Sequence, residues 1–226
     1  MKEKTIDVLR ALRFPMVFIV ALWVIHVVGA VSGIRLGFLG VLPRELSGLP
    51  AILTAPLVHG SWQHLISNTV PLAALSTVIF LFYRRVAVKA FLLIYLLCGL
   101  GVWLFARPDT HHIGASGVVY GLIAFVFWSG IFRRNFRSIV LALIVLVMYS
   151  GYFPGIVPGE AGISWESHLF GACSGILIAW IFKGRIEPDE IAPEPDEAEE
   201  QPRYFLERDT FERTIADRQQ QHFREF

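Results

Sequence analysis

The feature that most constrains this chain is a stretch of 170 residues, 14–183, that carries six long apolar runs and only four acidic side chains. All but the slightly shorter fifth run have about the 17–25 residues that a helix needs to cross a bilayer. Because the bilayer offers the backbone no hydrogen-bond partners, such runs cross it as helices. We therefore predict an all-α membrane protein, a bundle of six transmembrane helices. The predicted spans are residues 14–33, 64–83, 88–106, 114–132, 138–153 and 164–182.

Basic side chains are unequally distributed between the two ends of these spans. With the N-terminus inside, twelve of the Lys and Arg residues before residue 186 lie on the inner side, and only Arg35, Arg44 and Arg107 lie on the outer side. Cytoplasmic loops of membrane proteins carry this excess of positive charge, so we predict cytoplasmic N- and C-termini. The first run lacks the small-residue cleavage site of a signal peptide, so we expect it to be retained. The expected location is a prokaryotic plasma (inner) membrane.

Composition divides the chain into three predicted segments. Residues 1–13 form a basic, amphipathic leader, which we expect on the cytoplasmic surface of the membrane. Residues 14–183 form the membrane domain. Residues 184–226 hold 13 of the 19 acidic residues, which indicates a solvated cytoplasmic tail that is disordered in its first part. Residues 204–223 are predicted to form a short helix, and the pattern leaves open whether the tail binds a partner.

Two outer connections are predicted to have structure of their own. The first, residues 34–63, is long and apolar and contains three prolines, so we expect it to fold against the membrane domain. The second, residues 153–166, is rich in Gly and Pro and cannot be regular helix throughout. We predict that it forms a cap loop before the last helix, over whatever lies beneath it.

A serine stands where a polar loop turns into the fourth apolar run, in the sequence HIGASGVVYG of residues 112–121. The first backbone N–H groups of a helix lack intrahelical partners and can hold a developing negative charge. A hydroxyl at Ser116 is therefore a candidate nucleophile. The same residues also fit a purely structural role, because serine is a common helix cap and Gly117 and Gly121 have the spacing that packs membrane helices.

Two polar residues lie at the start of the second span. His64 and Asn68 stand one helical turn apart on the same helix face, at the depth of Ser116 in the outer half of the predicted bilayer. Polar side chains in a membrane helix are costly unless they meet partners or water. The pair fits a functional site and equally fits an interhelical hydrogen bond that holds the bundle together.

The sixth span presents an imidazole on a glycine-rich face. His168, Gly171 and Gly175 follow one another at helical spacing, and Ser116 and Tyr120 share a face of the fourth span. Two glycine-faced helices approach each other closely, which would bring Ser116 and His168 within hydrogen-bond reach. A nucleophile, a general base and side-chain donors for an oxyanion would then lie together, and this is the chemistry of peptide hydrolysis.

Three separated motifs carry a resemblance to a known family. HGSWQHLISN, GASGVVYG and SHLFGACSG follow in this order and are similar to the H-x-x-x-N, G-x-S-G and H-x-x-G-x-x-x-G elements of rhomboid intramembrane serine proteases. The resemblance covers about residues 14–183. It implies a six-helix bundle in which a water-filled cavity opens to the outer side beneath the cap at residues 153–166. The chain lacks the Trp-Arg pair that some members have in the first outer loop.

The resemblance also implies roles for particular residues. Ser116 would be the nucleophile and His168 the general base, with Tyr120 stacked against the His168 ring. His64 and Asn68, together with the Ser116 backbone N–H, would form the oxyanion hole. The substrates would be membrane-spanning segments of single-pass or multi-pass proteins, which enter from the bilayer and are cut near its outer surface, and no cofactor is implied. The supporting glycines would be Gly114, Gly117, Gly171 and Gly175.

Two functions of other classes remain compatible with these residues. A non-catalytic adaptor could use the same fold to bind transmembrane helices, and a small transporter could explain buried polar groups. The intact serine and histidine argue against the adaptor. Against the transporter, the sequence has no inverted repeat and no charged residue at the bilayer midplane.

Other ligands are not indicated. His59, His64, His111 and His112 invite a metal site, but the chain has no histidine pair at i, i+4 within a helix and no carboxylate at ligand spacing, so we predict no metal. His111 and His112 are expected to be exposed, and His26 in the first span is expected to pack against its neighbours. No basic and aromatic pattern suggests nucleic acid, and no oligomeric state is predicted.

Overall fold

The computed structural model describes residues 2–159, 164–185 and 187, with backbone alone for residues 2–11. Its described part holds seven α-helices and no strand, and all but the four-residue α2 fall on the six predicted spans. Five apolar helical segments are long enough to cross a membrane, and α7, with 17 residues, measures about 26 Å. The predicted all-α membrane bundle is therefore confirmed. The helices are α1 (Lys2–Ser32), α2 (Ala51–Thr54), α3 (Trp62–Phe82), α4 (Ala87–Phe105), α5 (Ser116–Arg133), α6 (Phe136–Tyr149) and α7 (Trp165–Ile181).

Two of the membrane-spanning helices, α3 and α6, start at side chains that cap them. The Ser61 hydroxyl accepts a hydrogen bond from the backbone N–H of His64 at 3.1 Å and so caps α3. The Asn135 side chain caps α6 by accepting the N–H of Ser138 at 2.8 Å. Such side chains satisfy N–H groups that have no partner within the helix. Each cap therefore sets where an apolar run becomes helical.

The first helix runs without a break across the predicted boundary between leader and first span. α1 extends from Lys2 to Ser32, and its apolar part is Leu12–Ser32. The leader is thus a backbone continuation of the first span. Its location on the membrane surface stays a prediction.

The fifth span ends in a tighter helix. α6 stops at Tyr149 and a 3₁₀ helix follows over Ser150–Ile156. Pro154 lies inside this segment and has no N–H to continue an α-helix. The segment contains the start of the predicted cap loop, whose residues 160–163 lie outside the described residues.

The long outer connection is folded onto α4. The Tyr95 hydroxyl donates to the Leu53 carbonyl oxygen at 2.6 Å, and Trp103 Nε1 donates to the Glu45 carbonyl oxygen at 2.8 Å. The Arg44 guanidinium donates to the carbonyl oxygen of Ala106, also at 2.8 Å. Each of these bonds joins the connection to α4 or to the residue that follows it. The connection is therefore part of the packed body.

The closest helix packing is between α5 and α7. A Cβ atom added at Gly171 would overlap the carbonyl oxygen of Gly117, and one added at Gly175 would overlap the carbonyl oxygen of Gly121. Only glycine allows two backbones to approach this closely. The first turns of α5 and α7 therefore lie side by side, which positions the site described below.

The predicted tail lies largely outside the described residues. Its helix at residues 204–223, its disorder and the boundary at residue 184 stay predictions. Within the described part, Glu187 is buried, and its carboxylate accepts the backbone N–H of Arg85 at 3.0 Å.

Candidate active site

Ser116 and His168 lie together at the first turns of α5 and α7. The Ser116 Oγ atom is 2.9 Å from His168 Nε2. Ser116 is the first residue of α5, where backbone N–H groups have no intrahelical partner. His168 is 8% exposed. The structure therefore brings the two residues within hydrogen-bond distance, and their catalytic roles stay a prediction.

The partner of the second ring nitrogen of His168 determines the tautomer of the ring. His168 Nδ1 is 2.8 Å from the carbonyl oxygen of Gly155. A carbonyl oxygen can only accept, so Nδ1 carries the ring proton and Nε2 is left as an acceptor. The Ser116 hydroxyl then donates to Nε2. This is the arrangement in which an imidazole can take a proton from a serine.

Tyr120 holds the His168 ring from one face. The two rings are stacked, with centroids 4.1 Å apart and an angle of 10° between their planes. The Tyr120 hydroxyl donates to the carbonyl oxygen of Tyr152 at 2.8 Å. The 3₁₀ segment of residues 150–156 thus contributes two backbone oxygens, one to each ring of the stack. Its tight winding keeps both within reach.

His64 and Asn68 lie against the turn that leads into Ser116. Gly114 in this turn has a φ of +106°, a conformation that L side chains rarely adopt. A Cβ at this position would be 2.6 Å from two atoms of the His64 ring and 3.7 Å from Asn68 Nδ2. Asn68 is 5% exposed, and its Nδ2 atom has no hydrogen-bond partner among the described residues. A buried donor therefore remains unused beside the turn.

His59 supports the same turn, although the sequence suggested for it only a metal site. The backbone N–H of Ala115 donates to His59 Nε2 at 3.4 Å, and the His59 ring lies 4.9 Å from that of His64. Burial, followed by the neighbouring His64, lowers the pKa of His59 to about 4. His59 is therefore neutral at neutral pH, with Nε2 free to accept the Ala115 N–H.

His112 corrects a prediction. Its side chain was expected to be exposed, but the residue is 3% exposed. Its backbone pairs with that of Val41 through two hydrogen bonds of 2.9 Å, so the loop is held inward. His112 Nδ1 lies 2.6 Å from the Ser164 hydroxyl. His111, the neighbouring residue, is exposed.

The remaining histidines do not converge on one point. His26 packs its ring edge-on against Trp62 at 4.4 Å between centroids, and His112 is bonded away from the pair of His59 and His64. Among the described residues, no group of three or more His, Cys, Asp or Glu side chains could hold a metal ion.

An apolar cavity adjoins the stacked rings. Tyr120 lines a space of about 230 Å³ between α5, α6 and α7, together with Ile123, Phe127, Val145 and Ile176. Its lining is mostly hydrocarbon, so it differs from the water-filled cavity that the resemblance implies. That cavity stays a prediction.

Several groups at the site were not found from the sequence. The carbonyl oxygens of Tyr152 and Gly155 belong to the backbone, which leaves no mark in a residue pattern. The glycine and proline content of the segment was the available signal. Ser164 could have been found as the cap of α7, because it precedes the last apolar run. The partner of its hydroxyl, His112, lies 52 residues away.

Comparison with known proteins supports membership of a known family. The model of the family described as "Rhomboid domain" matches residues 47–185, more than half of the chain. Uncharacterized proteins of Mycobacterium tuberculosis and Mycobacterium bovis are each 37% identical to it over 172 residues, covering 73% of this chain and 72% of the relative. A Bacillus subtilis protein named "Putative rhomboid protease YdcA" is 26% identical over 143 residues, covering 58% of this chain and 65% of that protein.

The matched residues include all three motifs and the helices that bring them together. Five apolar helices of membrane-spanning length and the family match describe an integral membrane protein. The chain therefore belongs to the rhomboid family.

Proposed function

We propose that this protein is an intramembrane serine endopeptidase that cleaves transmembrane segments of other membrane proteins. The observation that carries the proposal is the Ser116 Oγ to His168 Nε2 distance of 2.9 Å, with the opposite ring nitrogen bonded to the Gly155 carbonyl oxygen. A serine hydroxyl that donates to an oriented, neutral imidazole is the working arrangement of a serine hydrolase.

The proposed reaction uses these two side chains in turn. His168 Nε2 takes the proton of the Ser116 hydroxyl as Oγ bonds to the scissile carbonyl carbon. The resulting imidazolium then gives this proton to the leaving amine as the C–N bond breaks. Water, activated by the same nitrogen, hydrolyses the acyl-enzyme and restores Ser116. The Gly155 carbonyl and the face of the Tyr120 ring both stabilise the positive imidazole.

The negative charge of the tetrahedral intermediate needs donors near Ser116. We assign this role to the Ser116 N–H, the Asn68 amide and His64. The unused, buried Nδ2 atom of Asn68 supports this assignment, because a buried donor without a partner is unfavourable unless a ligand completes it. Since backbone and amide donors are already oriented, they need no rearrangement as charge develops.

The proposed substrates are single-pass or multi-pass membrane proteins, cut close to the outer surface of the membrane. The family and the membrane-spanning helices support a substrate that shares the bilayer with the enzyme. We also propose a prokaryotic plasma membrane, which the bacterial origin of the relatives supports. The excess of inner positive charge supports cytoplasmic termini.

The decisive experiment is cleavage of a transmembrane reporter by the purified protein in detergent, followed on a gel. The parental chain should cleave it, and Ser116→Ala and His168→Ala should each abolish cleavage while keeping the thermal unfolding midpoint. Ser32→Ala, which changes an exposed hydroxyl at the end of α1, serves as the matched control and should cleave at the parental rate.

Two outcomes would count against the protease. Full activity of purified Ser116→Ala or His168→Ala would refute the dyad. Binding of several reporters without cleavage by the parental chain would instead favour a non-catalytic adaptor for transmembrane helices.

A further inference from the structure

One side-chain contact links the approaches to both members of the dyad. His112 lies four residues before Ser116, and Ser164 lies four residues before His168. His112 Nδ1 and the Ser164 hydroxyl oxygen are 2.6 Å apart. The contact therefore joins the loop that leads into α5 to the residue that caps α7.

The direction of this hydrogen bond follows from the other ring nitrogen. His112 Nε2 is 3.3 Å from the carbonyl oxygen of Arg107. Because a carbonyl oxygen only accepts, Nε2 carries the proton and Nδ1 is the acceptor. Burial lowers the pKa of His112 and favours this neutral form. The Ser164 hydroxyl thus donates to His112 Nδ1.

The chain of hydrogen bonds continues along α7. With its own proton committed to His112, the Ser164 oxygen accepts from the Ser167 hydroxyl at 2.7 Å. It also lies 3.4 Å from the Ser167 backbone N–H, which it caps. Ser167 immediately precedes His168. A hydroxyl at residue 164 therefore both starts α7 and ties its first turn to His112.

A second contact runs parallel to the first. Arg107 Nε lies 3.2 Å from a carboxylate oxygen of Glu166, and Glu166 is 3% exposed. The His112 end is itself immobilised by its two backbone bonds to Val41. The first turn of α7 is thus held at two places against a fixed loop.

We propose that the His112–Ser164 hydrogen bond is a clamp that sets His168 against Ser116, which makes both of its members positioning residues. This inference rests on the proposed protease function. Neither residue touches the reacting atoms. Each acts through the helix turn or loop that carries a dyad member, so losing the bond changes the dyad distance and leaves the substrate contacts in place.

The clamp predicts an effect on the catalytic rate and not on substrate binding. In Ser164→Ala, α7 loses its cap and its tie to His112, so His168 is free to shift from Ser116. A misplacement of about 1 Å costs roughly 100-fold in rate. We expect kcat to fall between about 10-fold and 100-fold with KM close to the parental value. Ser164→Thr keeps the hydroxyl and should restore most of kcat.

The experiment measures kcat, KM and the rate at which a fluorophosphonate probe labels Ser116 in the full-length protein in detergent. The matched control is Asn135→Ala, which removes the cap of another transmembrane helix, α6, far from the site. Thermal unfolding midpoints are recorded for every variant. Slow labelling and low kcat in Ser164→Ala, with parental values in Asn135→Ala and rescue in Ser164→Thr, support the clamp.

A second pair of variants decides the matter if Ser164→Ala does not fold. His112→Asn keeps an acceptor oxygen close to the position of Nδ1, whereas His112→Leu keeps the volume without an acceptor. The clamp requires that His112→Asn retain more of kcat than His112→Leu at similar unfolding midpoints. Equal rates in these two variants would overturn it.

The outcomes separate the clamp from the protease itself. If the parental chain is labelled and cleaves, and Ser164→Ala matches it in both measurements, the clamp is wrong and the protease stands. If KM rises while kcat is unchanged, the residue contacts substrate and the clamp is again wrong. If the parental chain neither cleaves nor is labelled, both proposals fail together.

Discussion

Asn68 has a buried polar group that a bound ligand could satisfy. It is buried beside the turn that leads into Ser116, and its Nδ2 atom has no hydrogen-bond partner within the described part of the chain. In Asn68→Ala we expect kcat to fall more than KM rises, because the donor acts mainly on the charged intermediate. The loss should reach about 2.7–4 kcal/mol, as for other oxyanion donors.

His64, on the same helix face, is the second side chain assigned to the oxyanion hole and is tested in the same way. His64→Ala should also lower kcat, and redundancy between the two donors would make the double variant worse than either single one. Steady-state cleavage of a transmembrane reporter measures all three. Parental rates in both single variants and the double variant would refute the oxyanion assignment.

The lowered pKa of His59 predicts that the free energy of unfolding depends on pH. Its pKa is about 4 in the folded protein against an ordinary value near 6.5, so folding favours the neutral ring. This contribution is complete above pH 6.5, shrinks as the pH falls from there, and is lost by about pH 4. It amounts to at most about 3.4 kcal/mol.

The check is a series of unfolding measurements in detergent between pH 7.5 and 4.5. His59→Gln offers an amide oxygen to the Ala115 N–H and does not titrate, so its stability should fall less steeply. All other titratable groups are the same in both proteins, so the difference between the two slopes is the informative quantity. Identical slopes would show that His59 does not contribute.

For single residues, the sequence predicted which side chains belong to the site but not which backbone groups bind them. Side chains of suitable chemistry at helical spacings, together with the family resemblance, led to the prediction of five site residues, whose roles stay predictions: Ser116, His168, Tyr120, His64 and Asn68. The carbonyl oxygens that orient the two stacked rings are common to all residues. Their identity depends on how the chain winds after α6, which no residue pattern encodes.

At the level of the helices, the contact between α5 and α7 sets the distance between Ser116 and His168. Gly171 faces the carbonyl oxygen of Gly117 without room for a methyl group. Gly171→Ala should push the helices apart, lower the free energy of unfolding by about 1–3 kcal/mol and reduce cleavage strongly, since His168 lies one turn away.

Gly184→Ala is the control, because a Cβ there meets no atom within 4 Å. Thermal unfolding and reporter cleavage should both stay at parental values in this variant. If Gly171→Ala behaves like Gly184→Ala in both measurements, the close approach of α5 and α7 is not needed for the site.

The membrane-spanning helices were predictable to within a few residues, apart from the start of α1 at Lys2, because long apolar runs have one stable form in a bilayer. The side chains of Ser61 and Asn135 cap the starts of α3 and α6, whereas α4 and α5 start without a side-chain cap. The 3₁₀ segment of residues 150–156 was not foreseen in that form. Gly and Pro there indicated only that an α-helix would stop, and the form that replaces it was not predicted.

For the whole molecule, the distribution of positive charge predicts a single orientation in the membrane. Thr110 lies in the loop before α5 and Arg84 in the turn before α4, and both are exposed. In intact cells, a membrane-impermeant maleimide should label Thr110→Cys. It should label Arg84→Cys only after the membrane is opened.

The parental chain is the control for its two native thiols, of which Cys98 is buried and Cys173 exposed. The reverse labelling pattern would overturn the predicted orientation without affecting the site. Charge counting predicts the side of each loop because the inner segments carry most of the Lys and Arg residues. It could not predict that the first outer connection binds to α4, since those bonds are mainly to backbone oxygens.

The bond from His168 to the Gly155 carbonyl has a consequence for inhibition. In a Ser-His-Asp enzyme, one codon change removes the residue that orients the histidine. Here the acceptor is main chain, so a substitution at residue 155 does not delete it, and any added side chain would collide with the Tyr120 hydroxyl. In the proposed protease, a compound that draws residues 150–156 away from α7 would disorient His168 without occupying Ser116. Resistance through a replacement side chain at residue 155 would then be hard to evolve.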